Sequence, residues 1–281
     1  MMGPLRRVLV KRPDEVFAAA DPDAWHYAGV PDLEAARREH DALAALLSEA
    51  GAEVIYHDDP QPDRADAIFV HDPVIVTDEG AIILRMGKTL RRGEEDAMAK
   101  RFESLGIPIL FRLTDDARAE GGDLMWVDHG TLAVGLGART NREGFRQLGA
   151  VLSPFNVELV PVDLPSPDDP TACLHLMSLV SIVDDRLAVI YPELLPRHIF
   201  DFLEKRGFRF VHCAPGEFET MGTNVLALSP GKCVMLEGNP VTKRLLEEAG
   251  CEVLTYQGNE ISLKAEGGAT CLTRPILRDS A

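Results

Sequence analysis

The sequence predicts an α/β protein built from about five strand–strand–helix–strand units set in a ring around a central channel. Three observations carry this. Short apolar strands come in pairs around tight turns, and each pair is followed by a helical stretch and a further strand. The hairpin turns recur roughly every 50 residues, the self-similarity of a repeated supersecondary unit. No Pro/Gly/Ser linker or low-complexity tract divides the 281 residues, so one domain over 1–281 is expected. An open doubly wound sheet would alternate single strands with helices, whereas hairpins dominate here. Units of this kind must bury their inner faces against one another, and a ring does so.

Taken in order, Arg7–Lys11 is an apolar, β-branched strand closed by Pro13. The polar stretch 18–31, with Trp25, His26 and Tyr27, reads as a lid or as an ordered surface loop. Asp32 caps a helix in which Leu33, Ala36, Leu43, Leu46, Leu47 and Ala50 fall near helical spacing, with Gly51 at its end. Glu53–Tyr56 and Asp66–Val70 are expected strands. Then the pattern repeats. Val74–Thr77 and Ala81–Leu84 flank Asp78-Glu79-Gly80 and lead to a helix within Arg91–Leu105 and a strand Ile107–Phe111. Leu124–Val127 and Thr131–Gly135 lead to helix Asn141–Leu152 and strand Val157–Val162. Leu179–Val183 and Arg186–Ile190 lead to a helix near Pro196–Arg206 and strand Phe208–Cys213. Val225–Leu228 and Lys232–Leu236 lead to helix Pro240–Ala249 and strand Glu252–Tyr256. Cys271–Ile276 is left to complete the divergent first unit.

Hydrophobic content of 46% and charged content of 26% are those of a globular chain with ample core. The formal net charge of -16 argues against nucleic acid or an anionic membrane as partner, since both call for clustered Lys and Arg. It mildly favours a small cationic substrate. The N-terminus lacks the apolar region of a signal peptide, and no stretch has the eighteen or so apolar residues of a membrane span. Five cysteines without a Cys-x-x-Cys pair point to reduced thiols, a cytoplasmic location and no zinc site.

Gly135-Leu136-Gly137 lacks the third glycine and the βαβ context of a dinucleotide fingerprint, and is set aside. Four places hold better chemistry: Asp72 before a proline, Glu120-Gly121-Gly122-Asp123, His175 between leucines, and Cys271 just after Gly267-Gly268. Singly, each has an ordinary structural reading. Acids before turns bond the backbone, a histidine among leucines belongs to a core, and a lone cysteine is a small hydrophobe. Together they stand at corresponding edges of successive units, where a ring would point them into one channel. A cysteine with a histidine supports covalent chemistry, and two nearby carboxylates select a planar guanidinium.

The chain resembles the dimethylarginine dimethylaminohydrolases, within the superfamily of arginine deiminases and amidinotransferases that share the five-bladed pentein fold. The resemblance rests on Asp66-Ala-Ile-Phe-Val-His-Asp72, the run from Ala81 through Arg91 to Glu94, Glu120-Gly-Gly-Asp123, Ala138-Arg139-Thr140-Asn141, Leu174-His175-Leu176 and Gly267-Gly268-Ala-Thr-Cys271-Leu. It implies that Cys271 is the nucleophile and His175 the general acid/base, with Glu120 also in the catalytic set. Asp72 and Glu120 would hold the guanidinium, Arg91 and Arg139 the substrate α-carboxylate, and Asp66 and Phe69 would complete the substrate-binding set. The implied reaction is hydrolysis of a guanidinium through a covalent thiouronium, from dimethylarginine or methylarginine to citrulline and an alkylamine. No metal or cofactor is implied, and a homodimer is one expected assembly. The alternatives are an arginine deiminase or related amidinohydrolase, and a non-catalytic binder of cationic amino acids. His71 replaces the acid usual before the guanidine-binding Asp, and Met86 a common proline. His71, beside Asp72, is where discrimination between guanidines is expected.

Overall fold

The computed structural model describes residues 3–165 and 174–279. β1 (Leu5–Val10) is followed by two short helices, α1 (Glu15–Ala18) and α2 (Pro22–Trp25), then by α3 (Leu33–Glu49) and β2 (Glu53–Tyr56). The second unit is β3 (Val74–Thr77), β4 (Gly80–Ile83), α4 (Glu94–Ser104) and β5 (Ile109–Arg112). The third is β6 (Leu124–Asp128), β7 (Thr131–Leu136), α5 (Arg142–Leu152) and β8 (Glu158–Asp163). The fourth is β9 (Val180–Asp184), β10 (Leu187–Ile190), α6 (Arg197–Lys205) and β11 (Arg209–His212). The fifth is β12 (Leu226–Ser229), β13 (Lys232–Leu236), α7 (Pro240–Glu248) and β14 (Glu252–Tyr256), and β15 (Arg274–Arg278) ends the series.

These strands form small three-stranded sheets: β15-β1-β2, β3-β4-β5, β6-β7-β8, β9-β10-β11 and β12-β13-β14. In each, the middle strand pairs antiparallel on one side and parallel on the other. The helix lies in the parallel connection, because parallel neighbours need a long crossover. The first unit is assembled from both chain ends, with Leu5 opposite Arg278 and Leu9 opposite Arg274. Side chains start the helices as expected: Asp32 accepts from the Ala35 N–H at 2.7 Å, and Asn141 from the Gly144 N–H at 2.8 Å. Gly51 closes α3 at a φ of 97°, in the left-handed region that glycine enters freely.

Each hydrophobic core is shared by two units. Leu9 and Ile55 of the first pack with Val74, Ile83 and Phe102 of the second. Ile82 joins Leu132 and Leu148 of the third, and Met125 joins Val180 and Ile199 of the fourth. Val189 joins Met235 and Leu246 of the fifth, and Leu236 and Tyr256 return to Val8 and Leu43 of the first. Among the described residues, no helix is long and apolar enough to cross a membrane.

Two expectations change. Asp66–Val70 is not a strand: Ala65–Ile68 forms a 3-10 turn with all four residues buried, closed by a 2.8 Å bond from the Phe69 N–H to the Asp66 carbonyl. A short run buried on every side has no periodicity to separate strand from helix. The closing strand begins at Arg274, so Cys271 sits in the turn before it. The stretch 18–31 is ordered, with α2 capped by Asp21 and Tyr27 buried.

Burial holds His40 down to about 4, and burial with the Arg274 charge holds His71 down to about 3. Both stay neutral as pH falls, whereas unfolded histidines take up protons near 6.5. Stability is therefore expected to drop from about pH 6.5 towards 4, by about 1.4 kcal/mol per pH unit for each such histidine. Urea unfolding across that range checks it: His40→Leu should make the slope shallower, and an unchanged slope would remove His40 from the account.

Candidate active site

The functional side chains stand just before the first strand of successive units. Asp72 precedes β3, and Glu120 precedes the 3-10 turn Gly121–Asp123 that enters β6. His175 opens the turn Leu176–Ser178 before β9, and Cys271 lies before β15. Folding brings a ligand atom of Asp72, Glu120 and His175 to within 4.8 Å of one another. Asp66, Phe69, Asp72, Arg91, Arg139, His175 and Cys271 line one cavity with a free volume of about 50 Å³. Glu120, expected to touch the guanidinium, is set one layer back and is fully buried. Cys173, beside the histidine motif, lies outside the described residues.

Glu120 is held from several sides. Its Oε2 is 2.8 Å from His175 Nε2, and its Oε1 accepts from the N–H groups of Gly87 and Lys88, each at 2.9 Å. Arg139 Nη1 is 3.6 Å from the same Oε1. Burial alone would raise this carboxyl, but the His175 bond and charge and the Arg139 charge hold it below its ordinary value. Asp72 is balanced in the same way. Burial opposes its charge, and Arg91 overcomes it through a 2.6 Å bond from Nη1 to Oδ2, while the Gly122 N–H donates to Oδ1 at 2.9 Å. Arg91 lines the cavity but is turned inward. Its Nε and Nη2 bond Glu94 at 3.0 and 2.8 Å, and Nη2 also bonds the Phe69 carbonyl at 2.9 Å.

Backbone near Cys271 is placed by close packing. A Cβ on Gly267 would lie 2.2 Å from the Phe69 ring, and one on Gly268 would lie 2.5 Å from the Asn224 side chain. Neither glycine has a positive φ, so the pair permits approach and makes no special turn. Asn224 Nδ2 donates to Cys271 Sγ at 3.2 Å, and its Oδ1 accepts from the Thr270 N–H at 2.9 Å. Sequence reasoning missed Asn224. It stands before β12, at the place in the fifth unit that Asp72, Glu120 and His175 hold in theirs.

Lys88 and Glu266 were missed as well, and both line the cavity, as does Trp25 of the 18–31 stretch. Lys88 Nζ bonds Asp66 Oδ2 at 2.6 Å and the Trp25 carbonyl at 3.1 Å, and Tyr27 Oη donates to Asp66 Oδ1 at 2.8 Å. Asp66 thereby ties the 18–31 stretch to the cavity mouth. His71, expected to discriminate between guanidines, does not line this cavity; its Nδ1 is 2.9 Å from the Thr273 carbonyl. Met86 is fully buried.

A family model described as N,N dimethylarginine dimethylhydrolase, eukaryotic, matches residues 30–278. The chain is similar to N(G),N(G)-dimethylarginine dimethylaminohydrolase of Streptomyces coelicolor, with 29% identity over 276 residues and 96% of each chain covered. It is similar to arginine deiminase of Listeria welshimeri, with 25% identity over 295 residues, covering 90% of this chain and 70% of that one. Among solved structures it shares its fold with DDAH from Pseudomonas aeruginosa, a mutant complexed with citrulline. The TM-score is 0.79 at 23% identity, covering 98% of this chain and 100% of the other.

The Gly267 contact is open to test. Gly267→Ala should cost about 1–3 kcal/mol by overpacking against Phe69. Phe69→Leu in the same chain should recover part of that in urea unfolding; full additivity of the two changes would mean that the residues do not touch.

Proposed function

The chain belongs to the N,N dimethylarginine dimethylhydrolase (eukaryotic) family, and from there we propose that it hydrolyses the guanidinium of dimethylarginine or monomethylarginine to citrulline and an alkylamine. One observation carries the reading: Cys271, His175 and Asp72 line a single cavity, and a buried Glu120 stands 2.8 Å behind His175. We read residues 1–281 as one catalytic domain and its five sheets as blades of a closed ring, which the cores shared between successive units support. The buried thiols of Cys213, Cys233 and Cys251, which form no disulfide among the described residues, support a reducing, cytoplasmic setting.

In the proposed reaction, Asp72 accepts N–H bonds from the guanidinium and fixes its plane. Arg139 meets the α-carboxylate; Arg91 holds Asp72 and reaches the substrate only by exchanging that contact. The substrate's positive charge favours the Cys271 thiolate. Its sulfur attacks the guanidinium carbon, forming a C–S bond and placing the fourth substituent on that carbon. The C–N bond then breaks, and protonated His175 gives its proton to the departing amine. A covalent thiouronium remains. Neutral His175 takes a proton from water as the oxygen attacks the same carbon, and collapse expels the thiolate and leaves the ureido product. Glu120 keeps the imidazole oriented and stabilises its charged form. Water is the only co-reactant, and no cofactor enters these steps.

Similarity to an arginine deiminase favours a second reading, release of ammonia from unmethylated arginine by the same steps. A product assay across arginine, monomethylarginine and asymmetric dimethylarginine, following both ureido product and amine, separates the two. Cys271→Ser should lower turnover by at least about 10³-fold, and Glu120→Gln by about 10²-fold. Wild-type turnover in Cys271→Ser would overturn the nucleophile. Iodoacetamide should label Cys271 ahead of Cys213, Cys233 and Cys251, because burial pushes Cys213 up to about 11 and the other two are buried as well. A guanidine should protect Cys271; uniform slow labelling would favour a binder over an enzyme.

A further inference from the structure

A second cavity, of about 670 Å³, is lined by His71, Thr270 and Arg274 among others and shares no lining residue with the catalytic one. In the catalytic cavity, Lys88, Arg91 and Arg139 all form part of the lining. Lys88 stands at the head of the 3-10 turn Thr89–Arg91 and Arg91 at its end, joined by a 3.0 Å bond from the Arg91 N–H to the Lys88 carbonyl. Their surroundings differ. Every nitrogen of the Arg91 guanidinium is bonded: Nε and Nη2 to Glu94, Nη2 also to the Phe69 carbonyl, and Nη1 to Asp72. That side chain is only 4% exposed. The Lys88 side chain is 14% exposed. Of the three N–H donors of its ammonium, one meets Asp66 Oδ2 at 2.6 Å and one the Trp25 carbonyl at 3.1 Å. The Trp25 ring, with its centroid 4.9 Å from Nζ, adds cation–π attraction. The third N–H has no nitrogen or oxygen partner among the described residues.

Lys88 also stands beside Arg139. The Lys88 backbone N–H donates to Glu120 Oε1 at 2.9 Å, and Arg139 Nη1 is 3.6 Å from the same oxygen. A Cβ on Gly87 would lie 2.5 Å from the Arg139 carbonyl oxygen, so the two segments are in contact. Three carboxylates line the cavity with them. Asp66 is bonded by Lys88 and Tyr27, and Asp72 by Arg91 and the Gly122 N–H. Glu266 is exposed to water. A ligand that carries both a carboxylate and an ammonium suits this mixture better than one with a single sign of charge.

We propose that Lys88 is a specificity-determining residue: with Arg139 it binds the substrate α-carboxylate, and so selects free amino-acid guanidines over their decarboxylated counterparts. The third N–H would donate to a carboxylate oxygen while Asp66 and Trp25 keep the ammonium in place, and Arg91 need not leave Asp72. This rests on the reading of the cavity as the place of guanidine hydrolysis.

Steady-state kinetics on the full chain test it, with asymmetric dimethylarginine and arginine each set beside its decarboxylated counterpart, dimethylagmatine or agmatine. Wild-type kcat/KM should favour the amino acid. Lys88→Met should lower kcat/KM for the amino acid about tenfold or more, through KM, as expected for loss of a charged hydrogen bond made alike in ground and transition states. The decarboxylated substrate should be little affected. Lys88→Gln, which keeps donors for Asp66 and Trp25 but not the charge, should show the same selective loss, and it keeps the test decisive if Lys88→Met does not fold. An equal loss on both substrates would make Lys88 a brace of the 18–31 stretch and overturn the proposal, as would an unchanged preference for the amino acid. Calorimetric titration of Cys271→Ser with arginine and agmatine separates binding from reaction. A preference for arginine that disappears when Lys88→Met is added would uphold the role of Lys88 even if no guanidine were hydrolysed. Normal turnover with no Lys88-dependent preference would overturn that role and leave the reaction standing.

Discussion

A carboxylate with no exposure to water, Glu120, is the group on which the arrangement of this molecule depends. A buried charge is costly unless hydrogen bonds and opposite charges surround it. Glu120 draws its partners from separate units. Gly87 and Lys88 come from the connection after β4, and His175 comes from the entry to β9. Arg139 follows β7, as does Thr140, whose Oγ1 accepts from the Glu120 N–H at 3.2 Å. The same hydroxyl donates to Asp123 at 2.6 Å, and Asp123 in turn accepts from the Leu176 N–H at 3.0 Å, next to His175. Three units must therefore be in register for one carboxylate to stay charged. A slip at any of their junctions would leave it unpaired, so the cost of misassembly and the loss of the site coincide.

That register is supplied by the cores. A three-stranded sheet with one helix cannot cover both of its faces, and each unit completes its burial on the next. Helices and connections can vary under such a rule, while the loop entering each first strand is fixed in position. Those loops carry Asp72, Glu120, His175, Asn224 and Cys271. Chemistry placed there inherits the rigidity of the packed strands behind it, which is what close positioning of a nucleophile and a proton carrier calls for.

How much of this was legible in the sequence follows from the kind of signal each feature leaves. Hairpins and helices leave periodicity and turn residues, and most bounds shift by a residue or two, although α4 begins at Glu94 and Arg91 falls in a 3-10 turn before it. The 3-10 turn at Ala65–Ile68 leaves neither, because burial on all sides erases alternation. Cys271 and His175 carry distinctive chemistry and could be singled out. Asn224 carries none, and only its place in the fifth unit would have revealed it. Lys88 and Trp25 depend on a long-range contact through Asp66 that no local pattern encodes. His71, expected to discriminate between guanidines because it adjoins Asp72, lines the other cavity, since adjacency in sequence says nothing of direction.

Asp72 and His71, like Cys271 and Thr270, are neighbours that face different cavities. These segments are tied to each other by the His71 N–H on the Cys271 carbonyl at 3.2 Å and by Arg274 on the His71 carbonyl. Gly121 is needed where these segments meet the third unit, since a Cβ there would lie 2.1 Å from the His71 carbonyl oxygen and 2.5 Å from Arg274 Nη2. Arg274 is buried beside this junction, where burial opposes its charge and the nearby Asp72 favours it. Its guanidinium bonds the carbonyl of His71, whose own N–H bonds the Cys271 carbonyl, so one buried side chain braces the backbone beside both Asp72 and Cys271.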